Sequence, residues 1–416
     1  MTAPADGRFV LYGHDTVGLG HLRRNLKLAT TLTGYAPGAE VIILTGSPAA
    51  ASIPVPSRIR LIAMPPVGKS SNGEYESRVP GLALKDVIGL RRKLLARTLA
   101  EAKPRMLIVD HAPTGVADEL WPVLEDTFSQ RQTITVLGLR DIIDHPARVR
   151  SAWQRTRLTQ VLSRYHDIWV YGEKSLFDPV AAYALPTTVA SKVSYLGYLG
   201  HPPLVTGETA AAVPPAPYLV VSAGGGEDGQ ELFHTFRQAW DEVRATTPLR
   251  AVLIPGPFLP GQAASALEHW AGRESARVTV AYCAAGILPY LYGARLLVAM
   301  GGYNTLTEAM VAGVPVVALP RTHPRLEQHL RVTLLANHGP VSLIEPGPAA
   351  ADQMAAVIRR AWHDPPPRWR IEPGGLSRVL DRVDYWLTHH DKRGDTWHSP
   401  EAVSPALLPK ARPLDA

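Results

Sequence analysis

At 416 residues, 46% hydrophobic and 19% charged, the chain is long enough for two globular domains with ample core. Lys and Arg outnumber Asp and Glu by 43 to 37, but the basic residues are scattered, and the longest run, Arg91-Arg92-Lys93, has no aromatic residue interleaved with it. That favours small anionic partners such as phosphates and speaks against nucleic acid. A single cysteine, Cys283, excludes an intrachain disulfide and a cysteine-rich zinc site. The segment Met1 to Arg8 lacks the apolar core of an export signal, and no apolar run approaches the ~20 residues that cross a bilayer. A cytoplasmic protein with no transmembrane segment is the expectation.

Short apolar runs alternate with helix-period segments from the start. Strands are expected at Phe9–Tyr12, Val41–Leu44, Ile59–Met64, Met106–Val109, Thr133–Leu137, Ile168–Tyr171 and Val193–Leu196. Between them Leu22, Leu26, Ala29 and Leu32 recur at helical spacing, as do segments from Leu84 to Ala102, Val116 to Phe128 and Arg148 to Tyr165. Strands alternating with crossover helices specify a parallel sheet covered on both faces. One irregular stretch, Pro65 to Leu82, is long for a compact domain. It is either functional or disordered, and its place after the third strand favours contact with an acceptor.

The alternation breaks at a Pro-, Gly-, Ala- and Thr-rich stretch, so residues 1–200 read as one domain and 201–217 as a linker. A second set follows at Tyr218–Val221, Ala251–Ile254, Val278–Ala281, Leu296–Ala299, Val316–Leu319 and Val341–Leu343, closed by a helix from Ala349 to Trp362. Residues 218–364 therefore form a second doubly wound domain, facing the first across a cleft. A helix within 365–390 is expected to pack back on the first domain, and 391–416 reads as a disordered tail.

Several strand ends carry candidate chemistry. The first strand leads into Gly13-His14-Asp15-Thr16-Val17-Gly18-Leu19-Gly20-His21, where Gly18 and Gly20 allow close approach to an anion or sugar. Arg23 holds the place of the third glycine of a dinucleotide fingerprint, which argues against nicotinamide or flavin. His21, at the start of a helix, reads as a general base or as a structural cap. Asp110 ends the fourth strand, positioned either to orient His21 or to cap the helix after Thr114. Arg140 and Asp141 end the fifth strand, as a salt bridge with a cap or as cleft residues.

In the second half, Gly224, Gly225 and Gly226 form a turn whose N–H groups suit phosphate oxygens. Further on, Gly301 and Gly302 lead into Tyr303, Asn304, Thr305 and Glu308, with a helix expected to start at Asn304 or Thr305. This is either an anion-receptive helix start or a helix closed by the capping box Thr305-Leu306-Thr307-Glu308. Glu327 and Gln328 open another helix and offer an acceptor and an amide to sugar hydroxyls, or simply place polar groups in a first turn.

In order, Gly-Leu-Gly-His21, Val-Asp-His-Ala-Pro-Thr-Gly115, Leu-Arg-Asp141, Gly-Gly-Tyr-Asn-Thr-Leu-Thr-Glu308 and Glu327-Gln328 resemble the GT-B glycosyltransferases. The closest likeness is to the MurG-like predicted glycosyltransferases, over about residues 8 to 345. The resemblance implies an α/β GT-B fold of two Rossmann-like domains. It implies that Glu308 holds ribose hydroxyls, that Gly224 to Gly226 and Tyr303 to Thr305 receive a diphosphate, and that Glu327 and Gln328 contact the donor sugar. His21 then lies at the reaction centre, and the backbone at Cys283, Ala284 and Ala285 meets the base edge. MurG has a Gln pair where this chain has Glu327-Gln328, and the stretch Pro65 to Leu82 has no MurG counterpart.

The implied reaction moves a sugar from a nucleotide-sugar, UDP-linked or else dTDP- or GDP-linked, to a small-molecule acceptor, with inversion, no metal and no cofactor. Two other readings stay open. One is a nucleotide-sugar 2-epimerase of the same fold, with Asp110 and Asp141 among its carboxylates. The other is a non-catalytic nucleotide-sugar-binding subunit.

Overall fold

The computed structural model describes residues 7–14, 19–53, 55–70, 74–130, 132–156, 158–200, 214–282, 286–364 and 367–390. Two compact units divide the chain. The first comprises Met1–Val17, Arg24–Leu199 and Gly374–Ala416, and the second Gly18–Arg23 and Gly200–Pro373. The expected tail, residues 391–416, and most of the expected linker lie outside the described residues.

The first unit is built on seven parallel strands: β1 (Arg8–Gly13), β2 (Glu40–Thr45), β3 (Ile59–Ala63), β6 (Met106–Asp110), β7 (Ile134–Arg140), β8 (Asp167–Tyr171) and β9 (Val193–Tyr195). Between them in sequence, β4 (Val67–Lys69) and β5 (Tyr75–Ser77) form a separate antiparallel hairpin. The sheet order is β3-β2-β1-β6-β7-β8-β9. Its central strands are apolar on both faces, as a sheet covered by helices requires. The stretch expected to be irregular thus holds the hairpin. Tyr75 and Val79 pack it on a small core of Val67, Val87, Ile88 and Val116.

The helix Gly375–His390 belongs to this unit by a specific lock. Asp167 Oδ2 accepts from Arg382 Nε at 2.9 Å and from Trp386 Nε1 at 2.7 Å, and its other oxygen accepts from Ser194 and the Ile168 N–H. Nearby, Lys192 donates to the Tyr165 carbonyl at 2.8 Å. Burial moves the Lys192 ammonium down to about 8, against a smaller upward pull from Asp167. Below that pH its charge weakens the fold. Between pH 8 and its ordinary value of 10.5 the unfolded chain binds the extra proton, so stability rises with pH. Urea unfolding of the parent chain and of Lys192→Met at pH 7.5 and 9.5 should show the rise only in the parent; equal pH responses would refute it.

The second unit repeats the plan with β10 (Tyr218–Ser222), β11 (Ala251–Ile254), β12 (Val278–Val280), β13 (Ala294–Ala299), β14 (Val316–Ala318) and β15 (Val341–Leu343). All pairs are parallel, in the order β12-β11-β10-β13-β14-β15. Phe236, Trp240 and Trp270 meet edge to face or tilted in its core, with ring centroids 5.7 to 6.3 Å apart. From β10 the chain proceeds to β11 on one side, and from β13 to β14 on the other. The crevice beyond the C-terminal ends of β10 and β13 is therefore the topological switch point, where ligands of such sheets bind.

Candidate active site

Two glycine turns occupy that switch point. After β10, Gly224 and Gly226 have φ of 67° and 97°. A side chain at Gly226 would collide with the Pro255 carbonyl, 2.4 Å from its Cβ position, and one at Gly256 with the Gly224 carbonyl at 2.5 Å. The Gly225 carbonyl accepts from the Phe258 N–H at 2.9 Å, so this turn is bound into its neighbour. After β13, Gly301 has φ of 89°, and its Cβ position lies 2.5 Å from Val332 Cγ2. Only glycine lets the backbone turn there and lie against the helix Glu327–Ala336.

The helix after this second turn runs from Tyr303 to Ala312, starting before the expected Asn304 or Thr305. Its N-cap is Gly302, with no side-chain cap, although Tyr303, Asn304 and Thr305 are all buried. The capping-box reading is therefore overturned. The turn permitted at Gly301 starts the helix early enough that Thr305 is its third residue and Glu308 lies beyond its first turn. Thr305 Oγ1 stands 3.5 Å from the Cβ position of Gly224 and 3.9 Å from that of Gly302. The two turns thus converge on one hydroxyl. An uncapped, buried helix start facing a glycine turn leaves N–H groups and a positive dipole end directed at one place.

Glu308 leaves the helix sideways. One oxygen accepts from the Ile287 N–H at 2.7 Å, and the other is ion-paired with Arg23, which the contacts group with this unit. Gly286, at φ of 144°, lies against the same carboxylate, with its Cβ position 3.2 Å from Oε1. The Glu308 carboxyl group is therefore bound to the segment that follows Cys283, Ala284 and Ala285. Those three residues, like Gly18, lie outside the described residues.

Gly20 begins the helix Gly20–Thr33, and its carbonyl accepts from Asn304 Nδ2 at 3.0 Å. His21, half-buried, is the next residue. Glu327 and Gln328 open their helix as expected. Glu327 Oε1 accepts from Arg321 at 2.8 Å, Gln328 Oε1 from the Arg321 N–H at 3.3 Å, and Arg321 also pairs with Asp228. Arg321 thereby ties the end of the first glycine turn to the start of that helix. It also edges a cavity of ≈ 750 Å³ floored by Leu232, Phe233, Met300 and Leu319.

In the first unit, Asp110 is fully buried and bidentate with Arg24, at 2.9 and 2.7 Å. Asp141 accepts from the Ile142 N–H at 2.8 Å and from the Tyr198 hydroxyl at 3.1 Å. The following helix starts only at Pro146, so Asp141 caps its own turn instead. Arg140 lies 3.4 Å from His111 Nε2. Reading the sequence missed Arg23, Arg24 and Arg321. The adjacent Arg23 and Arg24 at helical spacing from the glycine turn were the available signal for the first two.

No family model matches the chain, and no curated protein matches it either. Solved structures do. Phytolacca americana UGT2, complexed with UDP-2-fluoro-glucose and pterostilbene, aligns at TM-score 0.58 and 13% identity over 92% of this chain and 95% of its own. The calicheamicin glycosyltransferase CalG4 aligns at 0.53 and 17% over 94% and 100%. MurG of Acinetobacter baumannii aligns at 0.51 and 14% over 91% and 99%. At such identities the likeness speaks to architecture, and with both sheets in the order above, the chain has the fold of the GT-B glycosyltransferases.

Proposed function

We propose that this chain is a glycosyltransferase that moves a sugar from a nucleoside-diphosphate sugar, UDP-linked first among them, to an acceptor hydroxyl. The observation that carries this reading is the uncapped, buried start of the helix Tyr303–Ala312 beside the Gly224 turn. Oriented N–H groups and a helix dipole offset the charge that grows on a leaving diphosphate, without reorganising as the bond breaks. Glu308, fixed by the Ile287 N–H, is the group for ribose hydroxyls, which would compete with Arg23 for its second oxygen. Glu327 and Gln328, held by Arg321, supply the donor-sugar contacts.

In the proposed step the anomeric C–O bond to the diphosphate breaks and the acceptor oxygen bonds to the same carbon. His21 takes the acceptor proton. Attack opposite the leaving group inverts the anomeric centre. The charge on the diphosphate is met by amides and the helix dipole, so the reaction proceeds without a metal ion.

A thermal-shift panel with UDP, dTDP, GDP, ADP and NAD, with and without magnesium, tests this reading. A ligand at ~100 times its Kd stabilises the fold by roughly 2.7 kcal/mol, a readily measured shift. One diphosphate should produce it, independently of magnesium. Glu308→Ala should reduce that shift strongly. Absence of a shift from every diphosphate would refute the assignment.

A further inference from the structure

The first sheet has a switch point of its own, which the donor reading leaves unused. Its order turns between β1 and β6, whose last residues Gly13 and Asp110 are paired in register. The crevice beyond them is where this architecture binds a ligand. His14 and His111, the next residues on the two neighbouring strands, stand at its mouth, both buried.

Each histidine belongs to a short chain of contacts. His14 Nε2 is 2.7 Å from the Tyr75 hydroxyl, and Lys69 Nζ lies 5.4 Å from the centre of the Tyr75 ring. Lys69 and Tyr75 are a cross-strand pair of the β4–β5 hairpin. On the other side His111 Nε2 is 3.4 Å from Arg140, at the end of β7. The hairpin, β1, β6 and β7 thus bring Lys69, Tyr75, His14, His111 and Arg140 to one edge.

Asp110 is bidentate with Arg24, and Asp141 is held by the Ile142 N–H and Tyr198. Glu76 pairs with Gly68 in the hairpin register, which puts it on the opposite face from Lys69 and Tyr75. The backbone here is also strained. His111, Ala117 and Asp118 all have positive φ, at 70°, 46° and 58°. Such strain in non-glycine residues gathers at ligand sites.

We infer that this edge of the first unit is a second ligand site, which recognises the acid group of a small molecule, a carboxylate or phosphate, through Lys69, Arg140 and the two histidines. Resting on the glycosyltransferase reading, the ligand is the acceptor, and the acceptor class is a hydroxylated acid. Arg140 supplies a planar fork suited to either acid, and Lys69, the last residue of β4, a point charge.

The test is isothermal titration of the full chain with 4-hydroxybenzoate, with its neutral methyl ester and with inorganic phosphate, each in the presence of saturating UDP. The carboxylate or the phosphate should bind, and the ester should bind at least tenfold more weakly than the carboxylate. Arg140→Met and Lys69→Met should each weaken binding of the acid at least fivefold. Equal binding of acid and ester, no binding of either anion, or full affinity in both variants would overturn the inference. A failure of UDP to bind bears on the donor site alone: the anion titration is then repeated without UDP, and sensitivity to Arg140→Met and Lys69→Met still decides this site.

Discussion

Replacing His21 by alanine is expected to lower kcat by about 10²- to 10⁴-fold, the range that a positioned base contributes. Nucleoside-diphosphate affinity should stay close to that of the parent chain. The expectation follows from how the residue is held. The Gly20 carbonyl accepts from Asn304, whose own helix starts at the Gly301-Gly302 turn, so the backbone beside the imidazole is tied to the proposed donor end of the site. His21 itself supplies no group to the nucleotide in the proposed step. Glu308→Ala should behave oppositely, weakening nucleotide binding by removing the proposed ribose contact. Measuring kcat and UDP affinity for both variants separates the roles. If His21→Ala keeps most of its kcat, the base assignment fails while the donor site stands.

A second large effect is expected at Arg91, far from any reacting atom. Its guanidinium makes two bonds to the fully buried Glu119, at 2.5 and 2.6 Å, and a third to the Pro65 carbonyl at 2.8 Å. Glu119 also accepts from the Tyr12 hydroxyl at 2.6 Å, and that hydroxyl accepts from the Val116 N–H at 3.0 Å. Burial first, and Glu119 second, hold the Tyr12 hydroxyl well above its ordinary titration range, so it stays a donor. Breaking a buried ion pair by removing one partner typically costs about 3–5 kcal/mol, a large part of the roughly 5–15 kcal/mol that holds a domain together. Arg91→Met should therefore lower stability by about that amount, and adding Glu119→Gln should recover part of it by removing the stranded charge. Urea unfolding measures both. A loss below about 1 kcal/mol in the single variant would mean that Glu119 finds another partner or reaches water. Since Arg91 also holds Pro65, just before the hairpin, the variant should loosen the Lys69–Tyr75 edge as well.

The strands were legible because their signal is local. Uninterrupted apolar runs such as Phe9–Tyr12, Ala251–Ile254 and Met106–Val109 each became a strand within a residue or so of the expected bounds. Glycine turns were legible for a similar reason. Gly224, Gly226 and Gly301 have conformations or close contacts that other residues resist, so their spacing marks where the backbone turns. The hairpin within Pro65 to Leu82 was not legible. Its strands are three residues long and depend on Val67, Val87 and Val116 meeting from distant parts of the chain. The start of the Tyr303 helix was misplaced because Thr305 and Glu308 satisfy a local capping rule, and the packing of Gly301 on Val332 prevails over it.

By itself, then, the sequence determined two doubly wound α/β halves and the positions of the glycine turns, since both are written in short-range periodicity and backbone permission. Only the tertiary structure decided which charges meet. Arg24 with Asp110, Arg91 with Glu119, Arg321 with Asp228 and Glu327, and the run from Lys69 to Arg140 are pairings across the strand ends. Apart from Arg321 with Glu327, the named ion pairs join residues 28 to 93 apart, a separation that no local pattern encodes but that parallel strand order imposes.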